Sequence, residues 1–361
     1  MGPLLRADRI VRELHALEVA PAGPRPPSLD DRALRRRMLD VVGRAVPHDF
    51  YAFVLTDPRT AVGISPLAEV PDLEDLPRVI GLKYLTAPGR WTTLGRTGCT
   101  TLRAATAGDL DRSPQWAGAL RRHGVTDLLL AVLRDRHGTW GFLDLWRLTG
   151  AFDDTEVAAV AAALPTLTTA LRGAVARSFV AGTPGEATRG RVAHGSGVLL
   201  LAEDLTPVAG TPALRSWLSA LLPTATGVGP VPASALNVAA QLLAEESGID
   251  AHPAMARVPV APGTWLTVRA ERLSQPVSGA SIAVGYELAS PADRLDVFAR
   301  AHALSPRERD VVQAVSTGAD TRGVARGLGI TELTVQDHLR SVFARTGAAS
   351  RADLLARAFG T

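Results

Sequence analysis

Turn signals divide residues 304–361 into four short segments of helical periodicity, in the stretch LSPRERDVVQAVSTGADTRGVARGLGITELTVQDHLRSVFARTGAASRADLLARAFGT. Gly318 follows the first amphipathic segment, where a glycine can end a helix in the left-handed conformation. Gly329 and Ile330 separate two further segments, and the Thr331 hydroxyl can cap the helix that it opens. Two helices joined by a short glycine-containing turn, the second with a polar outer side, are typical of a DNA-reading helix-turn-helix.

The third segment has an apolar and a polar side on a helical wheel. Val335, Leu339 and Val342 fall on the apolar side, with Phe343 at its margin, and we expect them to face a small core. The polar side carries groups that can read base edges, because Gln pairs with adenine, Arg pairs with guanine and Asp accepts from cytosine. Its members are Thr334, Gln336, Asp337, Arg340, Ser341 and Ala344.

Four motifs, LSPRER, VAxxLGIT, TVQDHLRSVF and SRADL, together resemble the LuxR-type (GerE-type) four-helix DNA-binding domain in order and spacing. The resemblance implies that the helix over 331–346 lies in the major groove of double-stranded DNA, and that the helix over 350–359 helps to form a dimer. It implies groove contacts from Gln336, Asp337 and Arg340 and phosphate contacts near Thr334 and Arg345. The predicted DNA-binding residues are Thr331, Thr334, Gln336, Asp337, His338, Arg340, Ser341 and Arg345; for His338, at the edge of the helix, a packing role fits the sequence equally well.

Two departures from the family pattern predict a less salt-driven affinity for DNA. Gln336 stands where the family usually has Lys, and Gly323 stands where it often has an acidic residue. Residues 304–361 hold eight Arg against six acidic residues, a net charge of only +2. We therefore expect weak binding by a monomer and a need for dimerisation. A four-helix protein-interaction module with a polar stripe is the alternative interpretation of this segment.

Composition excludes several other classes of protein. The 361 residues, 46% hydrophobic and 21% charged, predict two or three globular domains. Lys83 is the only lysine and lies in no Gly-Lys-Ser/Thr motif, which excludes a P-loop regulator. Cys99 is the only cysteine, so no intramolecular disulfide forms, as suits a reducing cytoplasm. We expect a small, partly buried thiol there, with a chromophore tether as the alternative interpretation. We expect no metal, no cofactor, no catalytic residues and no membrane-spanning segment.

The predicted order of helices and strands divides the remainder of the chain into domains. Residues 1–29 predict a short helix and a proline-rich connector, and residues 181–195 predict a linker. Residues 30–180 resemble a GAF domain, with a closing β-hairpin and a helix over 155–177 that Pro165 is expected to kink or break. Residues 196–292 predict two strands, a helix before Pro223, a second helix over 234–247 and three further strands, an order that resembles a PAS domain. Residues 293–361 carry the helix-turn-helix with its joint. The predicted fold class is multidomain: two α+β sensory domains with antiparallel sheets, followed by an all-α four-helix domain, a combination that resembles actinobacterial regulators.

A possible ligand pocket lies on the predicted strand 140–147, where Trp140, Phe142, Asp144 and Trp146 share one face. An aromatic wall with one carboxylate suits a small ligand. The alternative, which we favour, is that the aromatic rings pack under loops while Asp144 bonds to backbone.

The leading hypothesis is a cytoplasmic, homodimeric transcription regulator. Two recognition helices would bind an inverted-repeat site, and the GAF-like and PAS-like domains would sense an unknown small-molecule or protein effector. One alternative is a signalling adaptor that uses these domains to bind proteins and the four-helix end to dimerise. A sensor enzyme of hydrolase or cyclase type would need catalytic residues that the sequence does not supply.

Overall fold

The computed structural model describes residues 10–13, 31–179, 195–214, 217, 221, 231–261 and 263–360. Of the predicted N-terminal helix, residues 10–13 are described and helical. The proline-rich connector, nearly all of the predicted linker and most of a helix predicted over 212–223 lie outside the described residues. In the described part, the chain forms two modules, each with a five-stranded antiparallel sheet, and a helical C-terminal domain.

The first module is built on a sheet with the strand order β2-β1-β5-β4-β3. The predicted hairpin is confirmed, because β4 and β5 pair from Asp127 with Arg147 to Asp135 with Gly138, with one shift of register between Leu133 and Arg134. The elements of this module are α1 (Asp31–Ala45), β1 (Phe50–Thr56), β2 (Gly63–Glu69), α2 (Leu76–Tyr84), β3 (Cys99–Thr101), α3 (Leu102–Ala105), β4 (Asp127–Asp135), β5 (Gly138–Arg147) and α4 (Asp154–Arg177).

Helix α4 is not broken at Pro165, contrary to one of the two outcomes predicted for that residue. Pro165 lies on the exposed side of α4, so the carbonyl that loses its partner there can reach water. The helix begins with a capping box in which the Asp153 side chain accepts from the Glu156 backbone N–H at 2.8 Å. Its buried side packs against α1 and strands β3, β4 and β5.

The second module repeats the architecture with the strand order β7-β6-β10-β9-β8. Its strands and its helix follow the predicted sequence of elements, which are β6 (Gly197–Leu201), β7 (Pro207–Gly210), α5 (Ala233–Glu246), β8 (Met255–Ala261), β9 (Thr264–Val277) and β10 (Ala280–Leu288).

Helix α5 lies between the two modules and joins their cores. It packs against β9 of its own module and against β2 and α2 of the first. Ala235, Val238, Ala239 and Ala240 are completely buried, as expected of a helix that is apolar on nearly every side. Arg90 of the first module fixes the polar edge of this contact, because its Nη2 donates to Gln241 Oε1 at 2.9 Å.

The joint to the C-terminal domain is a helix, α6 (Pro291–Ala301), capped by the Ser290 hydroxyl. Phe298 on α6 contacts Phe179 edge-on, at 5.4 Å between ring centroids, and Phe179 in turn stacks on Trp265 of β9 at 4.8 Å. These rings hold α6 on both modules, since Phe179 follows α4 of the first.

The four predicted C-terminal helices are confirmed as α7 (Pro306–Ser316), α8 (Thr321–Leu328), α9 (Glu332–Thr346) and α10 (Arg351–Phe359). Each begins at a Ser, Thr or Asp whose side chain accepts from the third backbone N–H of the helix. Gly329, Gly347 and Gly360 adopt left-handed conformations where α8, α9 and α10 end.

Candidate nucleic-acid interface

The turn between α8 and α9 follows the predicted chemistry. Gly329 ends α8 with φ 64°, and the Thr331 hydroxyl accepts from the Thr334 N–H at 3.1 Å. Val335 and Val342 on α9 are completely buried and Leu339 is nearly so, which confirms the predicted apolar side. Because this side packs on α7 and α8, the orientation of the polar side of α9 is fixed.

The outer side of α9 carries Gln336, Asp337 and Arg340, all exposed as predicted. The Arg340 side chain is 75% exposed and its Nη1 donates to Asp337 Oδ1 at 2.7 Å. An exposed ion pair of this kind contributes only about 0.3–0.5 kcal/mol to a helix. Arg340 can therefore leave Asp337 for a guanine at little cost.

Ser341 and Arg345, both in the predicted DNA-binding set, point to other parts of the protein. The Ser341 hydroxyl donates to Glu308 Oε1 at 2.5 Å, and Arg345 Nη1 donates to the carbonyl of Ala303. Arg345 comes nine residues after Gln336, about two and a half helical turns, so the two side chains lie on opposite sides of α9. Ser341, predicted to lie on the same polar side as Gln336 and Arg340, contacts α7 instead. Arg345 lies at the joint with α6.

Thr334 and His338 are half-buried at the margin of the outer side. The hydroxyls of Thr334 and Thr331 lie 2.8 Å apart, so these two residues support the start of the helix while Thr331 remains exposed.

Leu333 belongs to the outer side but was missed from the sequence. It is 65% exposed, on the same side of the helix as Asp337 and Arg340. An apolar side chain in this position suits contact with a thymine methyl group. The signal was available, because extending the helical wheel by one residue from Thr334 toward Thr331 places Leu333 away from the core.

The residues proposed for a ligand pocket do not all come together. Phe142, Asp144 and Trp146 line a cavity of about 60 Å³ between the first sheet and α2. Trp140 is buried elsewhere, with its indole N–H donating to Asp135 Oδ1 at 3.0 Å. The cavity is small, since one water takes up about 30 Å³ in the liquid.

Asp144 pairs with a side chain and not with backbone, contrary to the alternative that we favoured. Lys83 Nζ lies 2.7 Å from Asp144 Oδ2, and both side chains are at least nine-tenths buried. Burial raises the pKa of Asp144, and the charge of Lys83 opposes that rise. Because β5 pairs with β1 on one edge and β4 on the other, its neighbouring backbone groups are already bonded and Asp144 needs a side-chain partner. The buried indole N–H of Trp146, which also lines the cavity, has no hydrogen-bond partner among the described residues.

The remaining features are Cys99, clusters of metal-binding side chains, and the apolar helix α4. Cys99, expected to be partly buried, is buried, and burial raises the pKa of its thiol to about 12. In the part of the chain that is described, no three His, Cys, Asp or Glu side chains are arranged to hold a metal ion. By length and composition, helix α4 could cross a membrane; it packs instead on the first sheet and α1.

Comparison with known proteins places the C-terminal residues in a family. The family model "Bacterial regulatory proteins, luxR family" matches residues 302–358. A putative HTH-type transcriptional regulator of Mycobacterium bovis is 46% identical over 52 residues, which are 14% of this chain and 6% of that protein. The monoamine regulon transcriptional regulator of Klebsiella aerogenes is 41% identical over 54 residues, 15% of this chain and 24% of that protein. The crystal structure of Escherichia coli SdiA aligns with 92% of this chain and 91% of its own, at 13% identity and a TM-score of 0.28.

These curated relatives share only the C-terminal segment, and the chain spans at most about a quarter of their length. The matched range contains α7, α8, α9 and nearly all of α10, the four helices whose caps and core are described above. Residues 302–358 thus form a LuxR-type helix-turn-helix domain, of the luxR family of bacterial regulatory proteins.

Proposed function

We propose that this protein is a sequence-specific transcription regulator that binds double-stranded DNA through α9. The observation that carries the proposal is the exposed outer side of α9, with Leu333, Gln336, Asp337 and Arg340, in a domain of the luxR family. These side chains offer a methyl contact, an adenine reader, a cytosine acceptor and a guanine reader. We place the protein in the cytoplasm, where a DNA-binding regulator acts.

The test is duplex binding by the purified chain. A duplex is selected from a random-sequence library with the unaltered chain. Its affinity is then measured at several salt concentrations for the unaltered chain, Arg340→Ala and Arg269→Ala. Arg269 is an exposed arginine on β9, so it controls for the loss of one positive charge. We expect Arg340→Ala to lose roughly ten-fold or more in affinity for the selected sequence, the loss of about 1–3 kcal/mol expected for one bidentate base contact. Equal binding by the three proteins, or binding that does not weaken as salt rises, contradicts the proposal and favours a protein-docking role.

We propose further that the protein acts as a homodimer on an inverted repeat. The packing of α10 limits which of its sides can form the dimer contact. Leu354 and Ala358 of α10 are completely buried, and the helix packs against α6. Arg294 on α6 strengthens this contact by donating to the carbonyl of Arg357 at 2.9 Å. A dimer through α10 must therefore use its other side, where Ala352 is exposed, or release the helix from α6. Sedimentation of Ala352→Arg with and without the selected duplex distinguishes these routes, because only the first is blocked by the new side chain.

The two sheet-bearing modules, which we interpret as GAF-like and PAS-like sensory domains, would control the DNA-binding domain. The cavity beside Lys83, Asp144 and Trp146 is the candidate effector site of the first module. A buried ion pair is costly to maintain, and a ligand that formed hydrogen bonds with Lys83 or Asp144 would offset that cost. The present volume admits a ligand of only a few non-hydrogen atoms. Fluorescence of Trp146 in a screen of small carbonyl compounds tests this assignment, with Trp146→Phe as the control.

A further inference from the structure

A second cleft, separate from the outer side of α9, lies where the β4–β5 hairpin meets the DNA-binding domain. It has a volume of about 420 Å³. The hairpin forms one wall, α6 forms another, and the start of α7 and the end of α9 complete it. A volume of this size falls within the roughly 300–1,000 Å³ of small-molecule sites.

Positive charge dominates the cleft. Among the described residues, its lining includes four arginines, Arg136, Arg300, Arg309 and Arg345, against one carboxylate, Asp296. Asp296 is shared, because its Oδ2 also accepts from the buried Arg257 at 2.7 Å. Arg257 in turn is paired with the fully buried Asp57, so this second pair adds no net charge. Even when Glu308, 3.8 Å from Arg345, is counted, four cations face two anions and an excess of two positive charges remains.

The arginines are accessible and have donors to spare. The side chains of Arg300, Arg309 and Arg345 are 31%, 46% and 41% exposed, and Arg136 is exposed at the tip of the hairpin. A guanidinium carries five N–H donors. Arg309 reaches Asp296 only at 3.6 Å, and Arg136 donates through Nε to the ring of His137. Planar forks of this kind match the oxygen atoms of phosphate groups.

The cleft is not a continuation of the DNA-reading surface. Arg345 lies on the opposite side of α9 from Gln336, and it is tied to Ala303 at the joint. Arg136 and Arg300 belong to the sheet module and to α6, and Arg300 Nη1 donates to the carbonyl of His137 at 2.8 Å. A ligand in the cleft would therefore touch the first module, the joint helix and the DNA-binding domain at once. This arrangement fits a compact polyanion better than a long duplex.

We infer that this cleft binds a small polyphosphate, either inorganic or the phosphate chain of a nucleotide. Its phosphate groups accept hydrogen bonds from Arg136, Arg300, Arg309 and Arg345. The ligand thereby neutralises the excess charge and bridges the hairpin to the DNA-binding domain.

The experiment is calorimetric titration of the full chain with inorganic tripolyphosphate and with ATP, at constant physiological ionic strength. Saturable one-to-one binding is expected for both. Arg136→Ala and Arg309→Ala, made separately because both side chains are exposed, should each weaken it roughly ten-fold, the loss of a charge-assisted hydrogen bond of about 1.5 kcal/mol. Arg340→Ala and Arg269→Ala are the matched controls and should bind tripolyphosphate as the unaltered chain does. Circular dichroism of each variant checks that it is folded.

Any of three results would overturn the inference, the last two of which concern the variants. One is the absence of saturable binding of tripolyphosphate at millimolar concentration. The others are binding that persists in both cleft variants, and binding that disappears in Arg340→Ala and is displaced by the duplex selected for α9, which would assign the phosphate contacts to the DNA surface. Because the readout is binding of tripolyphosphate alone, failure here leaves the DNA-binding test unaffected.

Discussion

The pair formed by Asp57 and Arg257 gives the sharpest prediction about how the modules hold together. Asp57 follows β1 in the first module, Arg257 lies on β8 of the second, and both side chains are fully buried. Arg257 donates to Asp57 through Nε at 2.6 Å, Nη2 at 2.7 Å and its backbone N–H at 2.8 Å. Removing one partner of a buried ion pair leaves the other charge uncompensated, which costs about 3–5 kcal/mol.

Arg257→Met leaves the buried Asp57 without its partner and should therefore lower the free energy of unfolding by about 3–5 kcal/mol. Asp57→Asn should lower it by less, because Arg257 keeps its ion pair with Asp296. Asparagine keeps an oxygen that can accept from the backbone N–H of Arg59 and Thr60, so the turn after β1 is preserved. The double variant buries neither of these two charges. Its decrease in the free energy of unfolding should be smaller, by at least about 2 kcal/mol, than the sum of the decreases in the two single variants.

The measurement is urea unfolding followed by far-ultraviolet circular dichroism at neutral pH, with Arg269→Ala as an exposed control expected within about 0.5 kcal/mol of the unaltered chain. If the decrease in the free energy of unfolding of the double variant equals the sum of the two single decreases to within about 0.5 kcal/mol, the pair is not energetically coupled and the reasoning is refuted. Burial alone would raise the pKa of Asp57, but the charge of Arg257 and its hydrogen bonds lower it overall. The contribution of the pair is thus present above the unfolded pKa of about 3.9 and is lost as pH falls further.

Four further predictions follow from buried or exposed side chains. Burial lowers the pKa of His302 to about 4. Stability should therefore fall as pH drops from 6.5 toward 4, by up to about 1.4 kcal/mol per pH unit, and unfolding of His302→Leu should lack this slope. Cys99 should react with a thiol reagent only after denaturant is added, because its thiol is buried and protonated; reaction at the same rate in buffer would contradict its packing. Leu333→Ser should weaken binding to the selected duplex by roughly ten-fold while stability changes by less than about 0.5 kcal/mol; unchanged binding removes Leu333 from the interface. Lys83→Met should cost about 3–5 kcal/mol in urea unfolding, since Asp144 loses its partner, and a cost near zero would mean that the pair is open to water.

The DNA-binding domain could be predicted from sequence in detail because its information is local. Thr331 caps the helix that it opens, Gly329 ends the previous one, and Val335 and Leu339 are spaced one helical turn apart. Each of these signals acts within a few residues of the chain. The β4–β5 hairpin and the strands of the second module were also predicted, since alternation and turn residues act locally, whereas the three-residue strand β3 was not.

The partners of polar side chains could not be predicted in this way. Asp57 and Arg257 are 200 residues apart, and Lys83 reaches Asp144 from a different element. Nothing in local spacing specifies such a pair, because it depends on how sheets and helices pack in three dimensions. The contact of Arg345 with the carbonyl of Ala303 could not be predicted for the same reason, because it depends on where α6 lies.

The contacts at the joint also determine which part of the protein can move. Arg257 holds α6 through Asp296, and the ring of Phe298 holds it on Phe179, so separating α6 from the modules would break a buried ion pair as well as aromatic packing. The connection from α6 to α7 is only four residues long and includes Ala303, whose φ of 55° is a left-handed conformation. A residue other than glycine in this conformation costs of order 1–3 kcal/mol. Because α6 is fixed and this short segment is strained, a rearrangement of the DNA-binding domain is expected to turn at Ala303, beside the arginine-lined cleft, and a ligand there would act directly on the turning point.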